Sequence, residues 1–152
     1  MRVIQRRIVG TLLVSRDNQV VLGYKDSNLG GRYSGCWVVP GGGVEDGETD
    51  IEALYREIEE ELGVDISGYE SVLVDDSLTG ENETLHKITK EPVCYKMHFL
   101  DYITKIPLDA EEFPIAPKDD LADAKWIPLE ELSRYKFSPS TAELLVKQGF
   151  LR

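Results

Sequence analysis

Residues 40–63 constrain this chain more than any other stretch. Pro40 and the three glycines Gly41, Gly42 and Gly43 follow a short apolar run, Cys36-Trp37-Val38-Val39. Proline lacks an amide proton and glycine has no side chain to pack, so the reading is a short strand stopped at Pro40. Thr49 then stands where a helix N-cap belongs, with Glu52 three positions later to complete a capping box. Gly63 stands where a left-handed glycine ends a helix. The spacing predicts a helix over about Asp50 to Leu62. On a helical projection Ile51, Leu54, Ile58 and Leu62 share one apolar stripe. Glu57, Glu60 and Glu61 form a compact stripe beside it, while Glu52 and Glu59 fall on the solvent side.

Three carboxylates at i, i+3 and i+4 repel one another, and each like-charge pair costs a helix a few tenths of a kcal/mol. Two readings meet that cost. A hard divalent cation such as Mg²⁺ or Mn²⁺ is held by oxygen ligands of this kind. A solvated acidic helix face needs no ligand. The helix taken alone leaves both open.

The remainder of the chain reads as short strands and few helices. Arg7 to Val14 and Val20 to Leu22 are apolar, β-branched runs separated by Asp17-Asn18, which predicts a hairpin. Ser27 to Gly35 is a glycine-rich loop, and Glu70 to Val74 and Val93 to Ile103 read as further strands. Thr79 to Glu91 is polar and reads as a loop, and Lys105 to Ala122 as a long acidic loop of the length that often carries function. Lys125-Trp126-Ile127 is a last strand. Ser138-Pro139 opens a second helix as N-cap and first turn, reaching Gln148 before Gly149. The expected class is α/β, a mixed sheet packed between helices.

A chain of 152 residues fits one domain, 1–152, which buries roughly 70% of its unfolded surface. Cys36 and Cys94 are too few for a disulfide scaffold and lack metal-ligand spacing. The basic start, Met1 to Arg7, has no apolar block behind it, and no run approaches the ~18 apolar residues of a membrane span. The expectation is a cytoplasmic protein with no membrane partner. A formal charge of −11 repels phosphate polymers, so no nucleic-acid polymer is expected as partner. A small phosphorylated ligand carrying metal is compatible with it.

From Gly42 to Val64 the residues Gly42, Glu48, Arg56, Glu57, Ile58, Glu60, Glu61, Gly63 and Val64 spell G-x5-E-x7-R-E-I-x-E-E-x-G-V. This resembles the Nudix box without a departure over 23 residues. The flanks, Trp37-x-x-Pro40-Gly41-Gly42 and Lys125-Trp126-Ile127-Pro128-Leu129-Glu130-Glu131-Leu132, are also similar to that family. The resemblance implies a Nudix-type α/β/α sandwich with the box as loop, helix and loop. It implies hydrolysis of nucleoside diphosphates linked to a further group, with Mg²⁺ or Mn²⁺ as cofactor. Glu57, Glu60 and Glu61 match the family's metal ligands, with a carbonyl of Gly41 or Gly42 as an extra one. Glu48 and Arg56 match an ion pair that orients Glu57. The general base implied is Glu57, or an acid six positions before Trp126, which here is Asp120 with Asp119 beside it.

The substrate expected is a nucleoside triphosphate or related diphosphate derivative. A nucleotide-sugar hydrolase of the GDP-mannose or ADP-ribose type and a non-catalytic nucleotide-sensing module are the alternatives. The family's oxidised-guanine triphosphatases read the base with an asparagine fifteen positions after the tryptophan; Thr141 stands there, which argues for modest discrimination between bases. A homodimer is the assembly left open. Tyr33, Trp37, Tyr95 and Phe99 read mainly as core, with stacking on a base as the alternative; Arg6 and Arg7 read mainly as a solvated strand edge, with phosphate contact as the alternative; and His86 and His98 read as not metal-ligating.

Overall fold

The computed structural model describes residues 1–25, 34–118 and 121–152. Eight strands join in one mixed sheet: β1 (Arg2–Val14), β2 (Gln19–Lys25), β3 (Trp37–Val38), β4 (Gly41–Gly43), β5 (Ser71–Asp75), β6 (Thr79–Leu85), β7 (Pro92–Lys105) and β8 (Leu121–Pro128). The helices are α1 (Asp50–Leu62) and α2 (Pro139–Lys147).

β1 is the hub. It lies parallel to β7 from Arg2 opposite Val93 to Val14 opposite Lys105. It also meets β2 beyond the Asp17-Asn18 turn, and β4 antiparallel along Ile8 to Gly10. Its side chains alternate between two cores, as a strand buried on both faces requires. Val9 and Leu13, with Val21 of β2, pack against Leu54, Ile58 and Leu62 of α1. Leu12, with Val20 and Leu22, packs against Leu144 and Leu145 of α2 and Leu132 of a short 3-10 turn. The helices therefore cover opposite faces of the sheet, the expected α/β/α arrangement.

A row of hydroxyls crosses the buried sheet. Thr11 of β1 and Thr104 of β7 share a hydrogen bond of 2.8 Å, and Thr104 shares another of 2.7 Å with Ser71 of β5. Thr11 and Thr104 have no solvent exposure, so these bonds replace water outright.

α1 forms where its caps dictate. The Thr49 hydroxyl accepts from the Glu52 amide while the Glu52 carboxylate accepts from the Thr49 amide, and Gly63 closes the helix at a φ of 69°. Two expectations are corrected. Gly41–Gly43 do not merely stop a strand; they are one, because ladder hydrogen bonds need backbone and no side chain. Thr79–Leu85 is not a loop but β6, paired with β7 from Thr79 opposite His98 to Leu85 opposite Pro92. Its polar residues hid it, since most of them face solvent. The described part of the long acidic loop is anchored: Arg16 pairs with Asp109 and Glu112, and Trp126 donates to the Phe113 carbonyl at 2.9 Å. No helix among the described residues is long and apolar enough to cross a membrane.

Replacing Thr104 by valine keeps its shape but strands the buried hydroxyl of Thr11 and the half-buried one of Ser71. Thr104→Val is expected to lower unfolding free energy by about 1–3 kcal/mol, measured by urea denaturation. Adding Thr11→Val and Ser71→Ala should recover part of that loss, because no polar group is then left unpaired.

Candidate active site

A cleft of about 760 Å³ opens between the β4 edge, α1 and the face of β1 and β7 that meets the start of α2. Of the residues assigned a site role from the sequence, Gly41, Gly42, Arg56, Glu57, Glu60 and Glu61 line it directly. Glu48 reaches it through Arg56.

The glycines of β4 are what allow α1 this close. A Cβ on Gly42 would collide with the Glu57 carboxylate, one on Gly41 with the Val9 carbonyl, and one on Gly43 with the Arg6 guanidinium. The Gly41 amide donates to Glu61 Oε1 at 2.7 Å. That bond accounts for a carboxylate at only 5% exposure.

Arg56 organises the carboxylates. Its Nε and Nη2 grip Glu48 at 2.7 and 2.8 Å, and Nη2 also donates to the Gly43 carbonyl at 3.0 Å. Its Nη1 donates to Glu57 at 2.8 Å and Glu60 at 3.2 Å. A two-pronged guanidinium–carboxylate pair of this kind is strong and directional. The Arg56 bonds, with help from the Glu45 amide, hold the Glu48 carboxyl down to about 2. Glu48, and then Glu57, push the Arg56 guanidinium above its ordinary value.

The donor set suits a hard cation, being three carboxylates with backbone carbonyls beside them. The expected tight cluster is only partly formed. Among the described residues no three acidic, histidine or cysteine groups converge closely enough to hold an ion as they stand. Arg56 draws Glu57 and Glu60 to itself, and Gly41 draws Glu61. Glu52 and Glu59 are exposed on the far face, as the helical projection gives.

Other expectations fare variously. Asp119 and Asp120, and most of the Ser27–Gly35 loop with Tyr33, lie outside the described residues. Lys118 donates its amide to the Glu61 carbonyl at 2.8 Å, which ties that loop to the end of α1. Thr141 lines the cleft, but its hydroxyl is engaged by the Val39 amide at 3.2 Å and by Ser138 at 2.9 Å. Trp37 packs at a tilt against Tyr24 and edge-on against Tyr135, and Tyr95 carries Arg6 on its ring. His86 accepts from the amides of its own turn, and His98 bonds the Asp76 carbonyl.

Sequence reasoning misread Arg6 and passed over Asp101. Arg7 does sit on the exposed edge, paired with Asp50 at 2.7 Å, but Arg6 points into the cleft. Asp101 lines the cleft from the middle of β7 at 5% exposure. Burial, and then the nearby charge of Asp75, push its carboxyl up to about 7. The sequence signal was an acid inside the apolar run Phe99-Leu100-Asp101-Tyr102-Ile103.

Comparisons with known proteins bear on the family and the fold. A family model for the NUDIX domain matches residues 4–148. The nucleoside triphosphatase NudI of Salmonella newport is 30% identical over 147 residues, covering 97% of this chain and 99% of the relative. The dihydroneopterin triphosphate pyrophosphohydrolase of E. coli superposes with a TM-score of 0.66 at 15% identity, covering 95% of this chain and 96% of that one. The NUDIX domain of Shewanella oneidensis NrtR, solved with ADP ribose, superposes at 0.65 with 15% identity, covering 95% and 86%. Both structural likenesses speak to the fold alone.

The two shifted carboxyls act on stability with opposite signs. Glu48, held low, contributes stability that is present above about 4.5 and lost as pH falls toward 2. Asp101, held high, costs stability as pH rises from 3.8 through about 7. Thermal unfolding followed against pH should show Glu48→Gln with a shallower acid limb than the parent. Asp101→Asn should raise the midpoint at pH 8 and leave it unchanged near pH 3.

Proposed function

This chain belongs to the Nudix hydrolase family, and on that premise we propose that it cleaves a pyrophosphate linkage in a nucleoside triphosphate or related diphosphate derivative with the help of Mg²⁺ or Mn²⁺. One observation carries the reading. Box helix and glycine strand meet so closely that Glu61 bonds the Gly41 amide and Glu57 lies over Gly42, with Arg56 gripped by Glu48 beside them.

Glu57, Glu60 and Glu61 would hold the cation, with the Gly41 or Gly42 carbonyl as a further oxygen. Bound there, a divalent ion neutralises phosphate charge and lowers the pKa of a water. Arg56 and Glu48 hold the α1 carboxylates in register with β4. Arg6, Lys25 and Lys87 line the same cleft and offset its acidity toward a polyphosphate. Glu57 is one candidate to accept the proton of the attacking water. Asp120 is the other, two residues beyond the Lys118 that is tied to Glu61. Thr141 uses its hydroxyl oxygen to accept from the Val39 amide and Ser138, so it has no paired donor and acceptor to offer a base, which supports modest preference between the natural bases, within about 10–200-fold.

The test is a panel of nucleoside triphosphates, ADP-ribose and GDP-mannose incubated with Mg²⁺, scored by phosphate or pyrophosphate release. Glu57→Gln, Glu60→Gln and Glu61→Gln should each weaken Mn²⁺ binding by calorimetry and lower turnover at least ~10²-fold. Glu59→Gln should be nearly silent. An effect of Glu59→Gln equal to that of Glu60→Gln, or undiminished Mn²⁺ binding in all three variants, would remove the metal assignment. Preference for a sugar nucleotide over every triphosphate would remove the substrate class.

A further inference from the structure

Three cross-strand rows lie on the sheet face that forms the cleft wall. Arg6 stands opposite Met97, Ile8 opposite Phe99, and Gly10 opposite Asp101. All six line the cleft. On the other side of β1, Gly10 is also opposite Gly41 of β4. Asp101 therefore sits two strands from the glycine strand and the glutamates bonded over it, roughly 10 Å across the sheet.

Among the described residues the Asp101 carboxylate takes no hydrogen bond from protein. It is nonetheless 95% covered, and its free side faces the cleft. A carboxyl in this state is costly unless a donor reaches it. Phosphate cannot be that partner, because two anions would face each other in a shielded site. The polyphosphate belongs at the opposite end, with the cation ligands, Arg56 and Arg6. What remains for Asp101 is the far end of a nucleotide, with Phe99 of the neighbouring row on one side and the start of α2 on the other.

Building on the nucleotide reading above, we infer that Asp101 is the base-reading residue of this cleft, accepting a hydrogen bond from an N–H on the ring edge of the nucleobase. An N–H donor stabilises the charged form that burial and Asp75 disfavour. Every natural base carries such a group: the amino groups of adenine, cytosine and guanine, or the ring N–H of uracil, thymine and guanine. A single acceptor of this kind tolerates all of them, so it agrees with modest preference among natural bases. It rejects a base from which the N–H has been deleted or methylated.

The experiment compares kcat/KM for matched pairs with Mg²⁺: CTP against its 4-deamino analogue, ATP against its 6-deamino analogue, UTP against its N3-methyl analogue, and each of the three against its 2′-deoxy form. In the parent protein, the best-cleaved natural nucleotide should exceed its N–H-deficient partner by about 10- to 100-fold, chiefly through KM. In Asp101→Leu that ratio should fall to within about threefold, and in Asp101→Asn, which keeps one acceptor oxygen, it should lie between. A ratio within one variant cancels any general loss of activity, and the asparagine variant preserves side-chain shape. Parent ratios within threefold, or a parent-like ratio in Asp101→Leu, would overturn the inference and leave the pyrophosphatase reading standing. Loss of discrimination only between ribo- and 2′-deoxynucleotides would assign Asp101 to the sugar and likewise overturn it. If the parent cleaves no nucleotide, the substrate reading fails and takes this inference with it.

Discussion

β1 is bonded along its whole length to β7, carries β4 and β2 on its other edge, and is buried on both faces in its second half. The rest follows from that doubly satisfied strand. Val9 and Leu13 seat α1, Leu12 seats α2, and Gly10 between them leaves room for Val39 and the Pro40 carbonyl to cross. Position along β1 thus decides which residues of β4 and β7 share a row. It puts the glycine strand that approaches the glutamates and the acid of β7 on one wall.

Electrostatics imposes the second constraint. A chain of charge −11 concentrates Glu48, Glu57, Glu60 and Glu61 in one place, which only counter-charge can stabilise. Arg56 supplies it from the same helix, reaching Glu48 before the helix and two carboxylates on it. Because the guanidinium is itself three-quarters covered, its loss would leave several carboxylates shielded from water without a partner. The amide of Gly41 does the same for Glu61 at shorter range. Geometry and charge therefore depend on one another: the carboxylates can crowd only where glycine lets backbone dipoles and a planar cation come near.

How much of this could be read from sequence depended on how local the cause was. α1 was legible to the residue, because its start, stop and faces are set by Thr49, Glu52, Gly63 and a 3.6-residue period. The partnership of Glu48 with Arg56 was legible through the family's spacing. β4 was not, since three glycines carry no hydrophobic pattern, and β6 was not, since a strand with solvent on most sides has none to show. Arg6 and Asp101 were misjudged for a different reason. Their place in the cleft follows from the register between β1 and β7, which no window along the chain contains. Asp101 alone left a trace, as a charge inside an apolar run.

The parallel pairing of β1 with β7 joins residues about ninety positions apart. Its other partners, the β2 hairpin aside, are reached only by loop closure that must be completed before their ladder bonds can form. During synthesis β1 emerges well before β7, with Val9 to Leu13 ready to pair and only the β2 hairpin at hand. It waits for some ninety further residues, an interval in which an unpaired apolar strand can bond to another chain instead. The exposed first half of β1, with Arg2, Arg6 and Arg7 among its residues, sets like charges side by side in any such encounter. The strand around which the finished molecule is organised is thus made well before the partner that completes it, and the like charges of its basic half oppose self-association in the meantime.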